Sequence, residues 1–304
     1  MGKEVGAWLE SRGYGVRRLV QKAAAPGEVG LDLCTPASQG WGDALLGCAA
    51  VVHCAAHVHR PVENDAERRL FQAINAEGTR KLLRAARAEG VQRFVFVGTS
   101  ALYDWSAREP VSEESPVRAT TAYGSSNLEA DELVRASELD WRIARLGTVF
   151  GVGDRANFSR LARGLHSSRF VDPGAGEARE SVLPIAKAGE LLGRLALNEA
   201  AQRLVLNVAA PEAPSLAEIC HAFATVCGFR EPPRVPLRLL EILARAGDAA
   251  AMVKPGFPLT SSVLRKLTTP TVLDVSRMNA AFPEMAWSSF EESLRPAAAY
   301  YVTV

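Results

Sequence analysis

Short apolar runs alternate with amphipathic segments along the first half of the chain, and this alternation constrains the fold more than any other feature. The apolar runs are rich in Val, Ile, Phe and Ala, as buried strands are; they include GVRRLV, AAVVHC, RFVFVGT and WRIARL. The segment LFQAINAEGTRKLLRAARAEG between two of them places apolar residues at helical spacing and ends at a glycine. Strands that alternate with helices predict an α/β fold, with a parallel sheet covered by helices on both faces.

The pattern loosens beyond residue 150. Clusters of proline and glycine (DPGAGE, EPPRVP, KPGFP) separate helical stretches such as SLAEICHAFATVCG and LRLLEILARAG. We predict a main domain over residues 1–150, joined by a later strand at 203–209, and a smaller lobe over 151–304 that mainly binds substrate.

Composition favours a small-molecule protein. The 304 residues include 48% hydrophobic ones, enough for a large core, and 35 basic against 34 acidic residues leave a net charge of +1. This even balance indicates neither a nucleic acid nor a membrane as partner. Five cysteines without a CxxC pair favour reduced thiols, and the N-terminal residues predict neither a signal peptide nor a membrane span. We expect a cytoplasmic protein with a small-molecule substrate.

Five motifs, VVHCAAHV, INAEGT, VQRFVFVGTSALY, AYGSSN and RLGTVFG, occur in an order and at distances that carry a family resemblance. Together they resemble the extended short-chain dehydrogenase/reductase superfamily, and within it the NAD-dependent epimerase/dehydratase family. The resemblance implies a Rossmann-like doubly wound parallel sheet and an NAD or NADP cofactor. It also leaves a homodimer open, because members of the family often pair through the helix that carries the catalytic tyrosine.

The resemblance implies a catalytic pair. The family places a serine or threonine at the end of a strand, where it hydrogen-bonds the reacting oxygen of the substrate; this position is Thr99, with Ser100 beside it as a second candidate. The catalytic tyrosine of the family matches Tyr123. Its phenolic oxygen would exchange a proton with the substrate while hydride moves to or from the nicotinamide.

The residue at position 127 departs from the family. A lysine normally stands four residues after the tyrosine, binds the nicotinamide ribose and lowers the tyrosine pKa from its usual value of about 10. Here the position is Asn127, which can donate a hydrogen bond but carries no charge. We therefore expect Asn127 to hold the cofactor weakly and proton transfer to be slow near neutral pH.

A second departure lies at the N-terminus. The family begins with a strand and a TGxxGxxG loop that brings the cofactor pyrophosphate to a helix N-terminus. In this chain Gly2 matches the last glycine of that loop, so the fold would lack its first strand, which belongs between GVRRLV and AAVVHC. Either the start codon was placed too late, by about ten residues, or the loop and the lysine were lost together in a protein freed from cofactor chemistry.

Other positions match the cofactor contacts of the family. Gln21 stands where an acid would favour NAD and an arginine NADP, so the choice between the two stays open, although Arg17, Arg18 and Lys22 nearby would tolerate a 2′-phosphate. Asp32 matches an acidic residue near the adenine, and Leu33 is its neighbour. Ala55 and Ala56 match two small residues where the backbone passes the cofactor, and Asn75 matches an asparagine that holds this backbone.

On the substrate side, the stretch RLGTVFGVGDRANF resembles the family's RPxxVYGPG segment, which places Asn157 near a substrate diphosphate. Arg179 would pair with the same diphosphate, because a guanidinium matches phosphate geometry. The spacing of His53, His57 and His59 does not predict a metal site, since these residues run from a strand into a loop.

Three functions remain open from the sequence. The first is an NAD(P)-dependent epimerase, dehydratase or reductase that acts on a nucleotide sugar. The second is a non-catalytic protein that keeps the fold for binding, as the missing loop and Asn127 would suggest. The third is an oxidoreductase of a steroid-like or other apolar alcohol, because the apolar stretches PPRVPLRLLEILARAG and FPLTSSVLRKL resemble the 3β-hydroxysteroid dehydrogenase branch.

Overall fold

The computed structural model describes residues 1–34, 40–58, 64–106, 110–174, 176–198, 202–253, 257 and 259–304. The strands are β1 (Arg18–Val20), β2 (Glu28–Gly30), β3 (Ala50–His53), β4 (Arg93–Thr99), β5 (Asp140–Leu146), β6 (Thr148–Phe150), β7 (Asp172–Pro173), β8 (Val182–Pro184), β9 (Leu204–Val208) and β10 (Arg234–Val235). The helices are α1 (Gly2–Glu10), α2 (Trp41–Leu45), α3 (Asp65–Phe71), α4 (Gly78–Ala88), α5 (Ala122–Arg135), α6 (Asn157–His166), α7 (Ile185–Leu197), α8 (Leu216–Cys227), α9 (Leu237–Val253), α10 (Ser261–Thr268), α11 (Ser276–Ala281), α12 (Phe290–Leu294) and α13 (Ala298–Thr303).

A four-stranded parallel sheet forms the centre of the molecule. Its strand order is β3-β4-β5-β9, and β4 pairs with β5 along its whole length. The strands are mainly apolar on both faces, and Phe94, Ile143 and Leu206 have no exposed surface. Because helices cover both faces, each strand can be a continuous apolar run. The predicted α/β fold with a parallel sheet is confirmed.

The strands β1 and β2 pair with one another in parallel, apart from the central sheet. Within the described residues, no strand joins β1 to β3, the edge strand of the four-stranded sheet. This break falls between GVRRLV and AAVVHC, where the sequence predicts the gap in the sheet.

Helix α1 packs closely on α7 because α7 presents two glycines to it. A Cβ atom on Gly193 would lie 2.3 Å from Cε3 of Trp8, and one on Gly189 would lie 2.8 Å from Cβ of Glu4. Both distances are far below van der Waals contact, so only glycine permits this approach. The arrangement buries Val5 in the core and fixes α1 beside the central sheet.

Two predicted segments are interrupted in the structure. The strand predicted over WRIARLGTVFG breaks at Gly147, where a Cβ atom would lie 2.5 Å from the carbonyl oxygen of Ser181; β5 ends there, and β6 pairs with β8 instead. The helix predicted over LFQAINAEGTRKLLRAARAEG contains a π-helical segment, Gln72–Glu77, between α3 and α4. Such π-helical segments often mark functional sites.

The C-terminal helices pack around an aromatic cluster. Phe223 contacts Phe158, Phe290 and Tyr301, with ring centroids 5.1–6.4 Å apart. Helices α9 and α10 lie outside this cluster and pack against each other around Leu240, Ala244 and Leu264. In the described part of the chain, no helix is both long and apolar enough to cross a membrane.

Candidate active site

Tyr123 and Thr99 meet where the central sheet ends. Thr121 caps α5 by accepting a hydrogen bond from the backbone N–H of Gly124 at 3.0 Å, which makes Tyr123 the second residue of the helix. Thr99 is the last residue of β4, and its hydroxyl lies near enough to the phenol of Tyr123 to lower the pKa of that phenol. The structure therefore brings together the two side chains that the sequence predicts as the catalytic pair.

The surroundings of Tyr123 favour the protonated phenol. Burial raises the pKa of Tyr123, and the nearby hydroxyl of Thr99 lowers this pKa by a smaller amount. The ring of Phe71 stands edge-on to the phenol ring at 6.4 Å between centroids. An apolar neighbour of this kind adds to the cost of forming a tyrosinate.

Asn127 is buried, with 2% of its surface exposed. Its side-chain amide donates to the carbonyl oxygen of Tyr123 at 3.0 Å, and the hydroxyl of Ser126 donates to the same oxygen at 3.0 Å. One N–H of Asn127 is thus used inside α5, and one remains for another partner. The predicted contact of Asn127 with a cofactor ribose remains a prediction.

Asn75 ties the loop after β3 to the tyrosine helix. Its side-chain oxygen accepts from the backbone N–H of His57 at 2.6 Å, while its amide donates to the carbonyl oxygen of His57 at 3.1 Å and to the hydroxyl of Ser126 at 3.0 Å. Ala55 and Ala56 directly precede His57, so the position of their backbone is fixed by these bonds. A polar network that satisfies every member is rigid.

His53 supports the backbone of Asn75 through Thr79. The hydroxyl of Thr79 donates to the backbone oxygen of Asn75 at 2.6 Å, and Nε2 of His53 lies 2.9 Å from the same hydroxyl. Because the single hydroxyl proton is already used, we assign Nε2 of His53 as the donor in this contact. Burial lowers the pKa of His53 to about 4, which keeps the imidazole neutral.

Of the three histidines whose spacing raised the question of a metal site, the two that the structure describes have other contacts. His53 bonds Thr79, and His57 packs edge-on against Phe71, with centroids 4.6 Å apart. His59 lies outside the described residues. Among the residues that are described, no group of three or more metal-ligating side chains occurs.

The residues predicted for the adenosine end form a second group. Gln21 donates to the carboxylate of Asp32 at 2.6 Å, and the backbone N–H of Cys34 donates to its other oxygen at 2.8 Å. These hydrogen bonds, the one from Cys34 first, lower the pKa of Asp32. The backbone oxygen of Leu33 accepts from Lys81 at 3.0 Å.

The basic residues beside Gln21 have other partners. The guanidinium of Arg17 donates to three carbonyl oxygens at the end of α2, and that of Arg18 pairs with Glu10 at 2.5 Å. The prediction that Arg17, Arg18 and Lys22 would tolerate a 2′-phosphate remains a prediction, and for the two arginines it would require exchange of these partners. Gly2 lies at the start of α1 beside Cys54, where a Cβ atom would lie 3.8 Å from that of the cysteine, so Gly2 is close to Ala55.

The predicted substrate contacts are spread out. Ser100 is half-buried and follows Thr99, whereas Asn157 is exposed at the first turn of α6. Arg179 donates to the carbonyl oxygen of Ala213 at 2.8 Å and contacts Glu218 at 3.3 Å, in the loop before α8 and in α8 itself. Arg179 also lines a cavity of about 750 Å³ beside α8. Of the predicted site residues, Arg179 alone is among those that line this cavity, so the cavity is separate from the Thr99–Tyr123 pair.

A buried ion pair, which sequence reasoning missed, fixes the tyrosine helix to the sheet. Nε and Nη2 of Arg145 in β5 contact the carboxylate of Asp131 in α5 at 3.0 and 3.2 Å, and both residues are at most 3% exposed. Arg145 also donates to the phenolic oxygen of Tyr103 at 2.9 Å, and Tyr103 donates to Asn207 at 2.7 Å. The available signal was the pair of arginines, Arg142 and Arg145, inside a strand predicted to be buried, because such charges must be paired.

A second residue that sequence reasoning missed is Glu180. Its carboxyl group accepts a hydrogen bond from the hydroxyl of Thr148 at 2.5 Å, and burial raises the pKa of Glu180. Only Gly147 separates Thr148 from the end of β5, so this half-buried acid lies near the carboxyl end of the central sheet. Its neighbour Arg179 was singled out by the resemblance, whereas nothing in the pattern marked Glu180.

A parallel sheet of this order, with a threonine and a tyrosine together at its carboxyl end, places the protein in the Rossmann-like class of α/β folds. The sequence pattern of the NAD dependent epimerase/dehydratase family matches residues 1–181. The chain belongs to this family, as the sequence resemblance indicated.

Relatives and solved structures extend this result. The chain is 29% identical over 175 residues to an N-acetyl-alpha-D-glucosaminyl-diphospho-ditrans,octacis-undecaprenol 4-epimerase of Escherichia coli O157:H7, a match that covers 56% of this chain and 52% of the relative. It is 30% identical over 114 residues to UDP-glucose 4-epimerase 2 of Arabidopsis thaliana, covering 36% of this chain and 28% of that one. These matches span about half or less of the length of the relatives.

Two solved structures share the fold over almost the whole chain. MoeE5 in complex with UDP-glucose and NAD superposes with a TM-score of 0.76 at 22% identity, covering 98% of this chain and 94% of that one. The UDP-glucose 4-epimerase of Thermus thermophilus in complex with NAD superposes with a TM-score of 0.74 at 19% identity, covering 99% and 95%. The predicted Rossmann-like fold is confirmed by these similarities.

Proposed function

We propose that the protein is an NAD-dependent epimerase, dehydratase or reductase that acts on a nucleotide sugar. The observation that carries this proposal is the proximity of the Thr99 hydroxyl to the half-buried phenol of Tyr123, which places two hydroxyl groups together at the carboxyl end of β4. This is where open parallel sheets bind their ligands. The relatives support the substrate class, since MoeE5 binds UDP-glucose and NAD, and the Escherichia coli relative is an epimerase of a sugar diphosphate linked to a lipid.

The described residues fit part of an NAD site. Exposed Ala55 and half-buried Ala56 follow β3, Asn75 fixes the backbone behind them, and Asp32 offers a carboxylate with a lowered pKa near the adenosine end. The nicotinamide would supply the acceptor and donor of hydride. We propose that Gly2, Gln21 and Leu33 complete the contacts and that Asn127 holds the ribose. Titration with NADP and NADPH tests whether the phosphorylated dinucleotides bind as well.

In the proposed reaction the protein's own residues handle one proton. Thr99 donates a hydrogen bond to the reacting oxygen and orients it toward Tyr123. When the substrate hydroxyl is oxidised, its proton moves to the phenolate oxygen of Tyr123, and the reverse step returns the proton. Because no cation stands at position 127, the phenolate is scarce at neutral pH and the reaction is slow.

The wider arrangement is also proposed here. Residues 1–150 with the strand at 203–209 would form the cofactor domain, and residues 151–304 the substrate lobe. Ser100, Asn157 and Arg179 would contact the sugar and its diphosphate, the last of these after leaving Glu218. The protein would work in the cytoplasm, as a monomer or a homodimer.

Two measurements on the purified chain test the proposal. Calorimetric titration with NAD, NADH, NADP and NADPH should detect binding of the NAD pair. A proton NMR assay with UDP-glucose, UDP-galactose and their N-acetyl forms in the presence of NAD should show slow conversion that Tyr123→Phe abolishes. Tyr14→Phe is the matched control, because Tyr14 is 49% exposed and lies in a loop. Absence of binding by all four dinucleotides would overturn the proposal.

The two other functions predict different results in the same assays. A non-catalytic binding protein would bind a ligand without turnover, and Tyr123→Phe would then change nothing. An oxidoreductase of an apolar alcohol would be stabilised against heat by a steroid rather than by uridine diphosphate.

A further inference from the structure

Helix α9 exposes an apolar face that the rest of the described chain does not cover. Leu239, Ile242 and Leu243 are 48%, 64% and 46% exposed, and Ala246 one turn further is exposed as well. Their spacing of i, i+3, i+4 and i+7 places all four on one side of the helix. Isolated apolar residues on a surface are ordinary, but a continuous stripe marks a site of interaction.

The stripe is not the face by which α9 packs on the protein. Leu240, Ala244 and Gly247 are the buried residues of the helix. At about 100° per residue, they occupy one third of the circumference, and the exposed stripe occupies the next third. The polar residues Arg238, Glu241, Arg245 and Asp248 fill the remainder. The apolar surface of α9 is therefore about twice as wide as its own packing requires.

A neighbouring aromatic ring extends the stripe. A Cβ atom on Gly247 would lie 3.1 Å from Cδ1 of Phe257, which places this ring along the edge of α9 next to Leu243. Phe257 is itself 37% exposed, and so is Val263 in α10, which packs on α9. We call these residues together, Leu239, Ile242, Leu243, Ala246, Phe257 and Val263, the α9 surface.

Positive charge borders the α9 surface. The described residues between 237 and 268 include four basic ones, Arg238, Arg245, Arg265 and Lys266, against two acidic ones, Glu241 and Asp248, whereas the whole chain is nearly neutral with a net charge of +1. Arg238 and Arg245 follow the apolar stripe around the helix directly, on the side of Ile242. The even balance of the whole sequence thus hides a local excess of positive charge.

We propose that the α9 surface binds peripherally to an anionic lipid bilayer, with α9 lying in the plane of the interface. Leucine, isoleucine and phenylalanine side chains would enter the acyl boundary, and the arginines at the border would reach the lipid phosphates with their long side chains. A second copy of the chain fits less well, because a symmetric contact through this surface would bring the two arginine borders together. This proposal goes beyond the proposed function and does not depend on it.

Flotation with phospholipid vesicles tests the proposal without substrate or cofactor. The wild-type chain should float with vesicles of equal phosphatidylglycerol and phosphatidylcholine and remain behind with pure phosphatidylcholine. Ile242→Glu should reduce the bound fraction at least about tenfold, because it places a charge in the apolar stripe. Arg238→Gln and Arg245→Gln should each reduce binding about fivefold at low salt and less at high salt.

Matched variants keep the test decisive. Leu46 is 63% exposed, almost the same as Ile242 at 64%, but lies at the end of α2, so Leu46→Glu should float like the wild type. Arg69→Gln, at an exposed arginine in α3, is the control for the arginine variants. Circular dichroism checks that Ile242→Glu remains folded, and Leu239→Glu replaces it if it does not.

Three outcomes would overturn the proposal. The first is failure of the wild type to float with anionic vesicles, and the second is an equal loss of binding in Leu46→Glu and Ile242→Glu. The third is that the wild type is a dimer in light scattering, that Ile242→Glu is a monomer, and that neither protein binds vesicles. This result would assign the α9 surface to contact with a second copy of the chain. A failure of dinucleotide binding would leave the flotation result untouched, so the two proposals fail separately.

Discussion

The side-chain amide of Asn127 donates to the carbonyl oxygen of Tyr123, 3.0 Å away in the same helix. The residue in the position of the family's lysine is therefore bound to the backbone of the residue that it would be expected to activate. With a neutral side chain here, burial dominates and raises the pKa of Tyr123.

The rate of substrate oxidation should rise with pH. Because the pKa of Tyr123 lies above its usual value of about 10, the phenolate fraction, and with it kcat/KM, should increase about tenfold per pH unit between about pH 7 and 9. The measurement is kcat/KM for oxidation of a nucleotide sugar at saturating NAD across this range. A plateau below about pH 8 would contradict the expected state of Tyr123.

Asn127→Lys should raise the rate at neutral pH. The ammonium group would favour the phenolate, and each unit by which the pKa of Tyr123 falls should increase the rate at pH 7 about tenfold. Asn127→Met is the matched control, because it has a long side chain without the charge. If Asn127→Lys binds NAD but shows no more activity than Asn127→Met, the site is not a latent catalytic one.

Asp131→Asn should destabilise the protein strongly. The substitution leaves the guanidinium of Arg145 buried without its carboxylate, which costs about 3–5 kcal/mol in the free energy of unfolding. Urea unfolding followed by circular dichroism measures this change. Asp65→Asn removes the carboxylate of an exposed pair with Arg68 and should change the free energy by less than about 1 kcal/mol. Equal losses in the two variants would show that the buried pair has no special role.

Gly193→Ala should loosen α1 from α7. The added methyl group would lie 2.3 Å from the ring of Trp8, and such overpacking costs about 1–3 kcal/mol. Gly15→Ala is the control, since a Cβ atom there would have nothing within 4 Å. Replacing Trp8 by valine in the Gly193→Ala variant should recover part of the loss. A Gly193→Ala protein as stable as the wild type would show that the two helices are not held at this distance.

His53 should make stability depend on pH. Its pKa is about 4 in the folded protein and about 6.5 in the unfolded chain, so the unfolded chain binds more protons between these values. The contribution of about 3 kcal/mol is present above about pH 6.5 and is lost as the pH falls toward 4. Urea unfolding at several pH values should show a shallower dependence in His53→Gln than in the wild type. Thr79→Ser, which keeps the hydroxyl partner, should retain the dependence of the wild type.

Much of the fold could be predicted from the sequence. The alternation of strands and helices depends on local periodicity, and the order of five motifs identifies the family, so both could be read without coordinates. Thr99, Tyr123 and Asn127 were found in the same way, because each occupies a position in a short motif. The break at Gly147 was missed because it depends on the close approach of Ser181, which is distant in the chain, and no local signal marked the π-helical segment.

The sequence by itself determined the parallel α/β fold, the family and the threonine-tyrosine pair. The tertiary structure alone decided that Arg145 faces Asp131, that Asn127 bonds the backbone of Tyr123, and that the stripe on α9 is left uncovered. The physical reason is the range of the interactions. Periodicity acts between neighbours on one helix or strand, whereas the partner of a buried charge and the exposure of an apolar side chain are set by which distant segments meet.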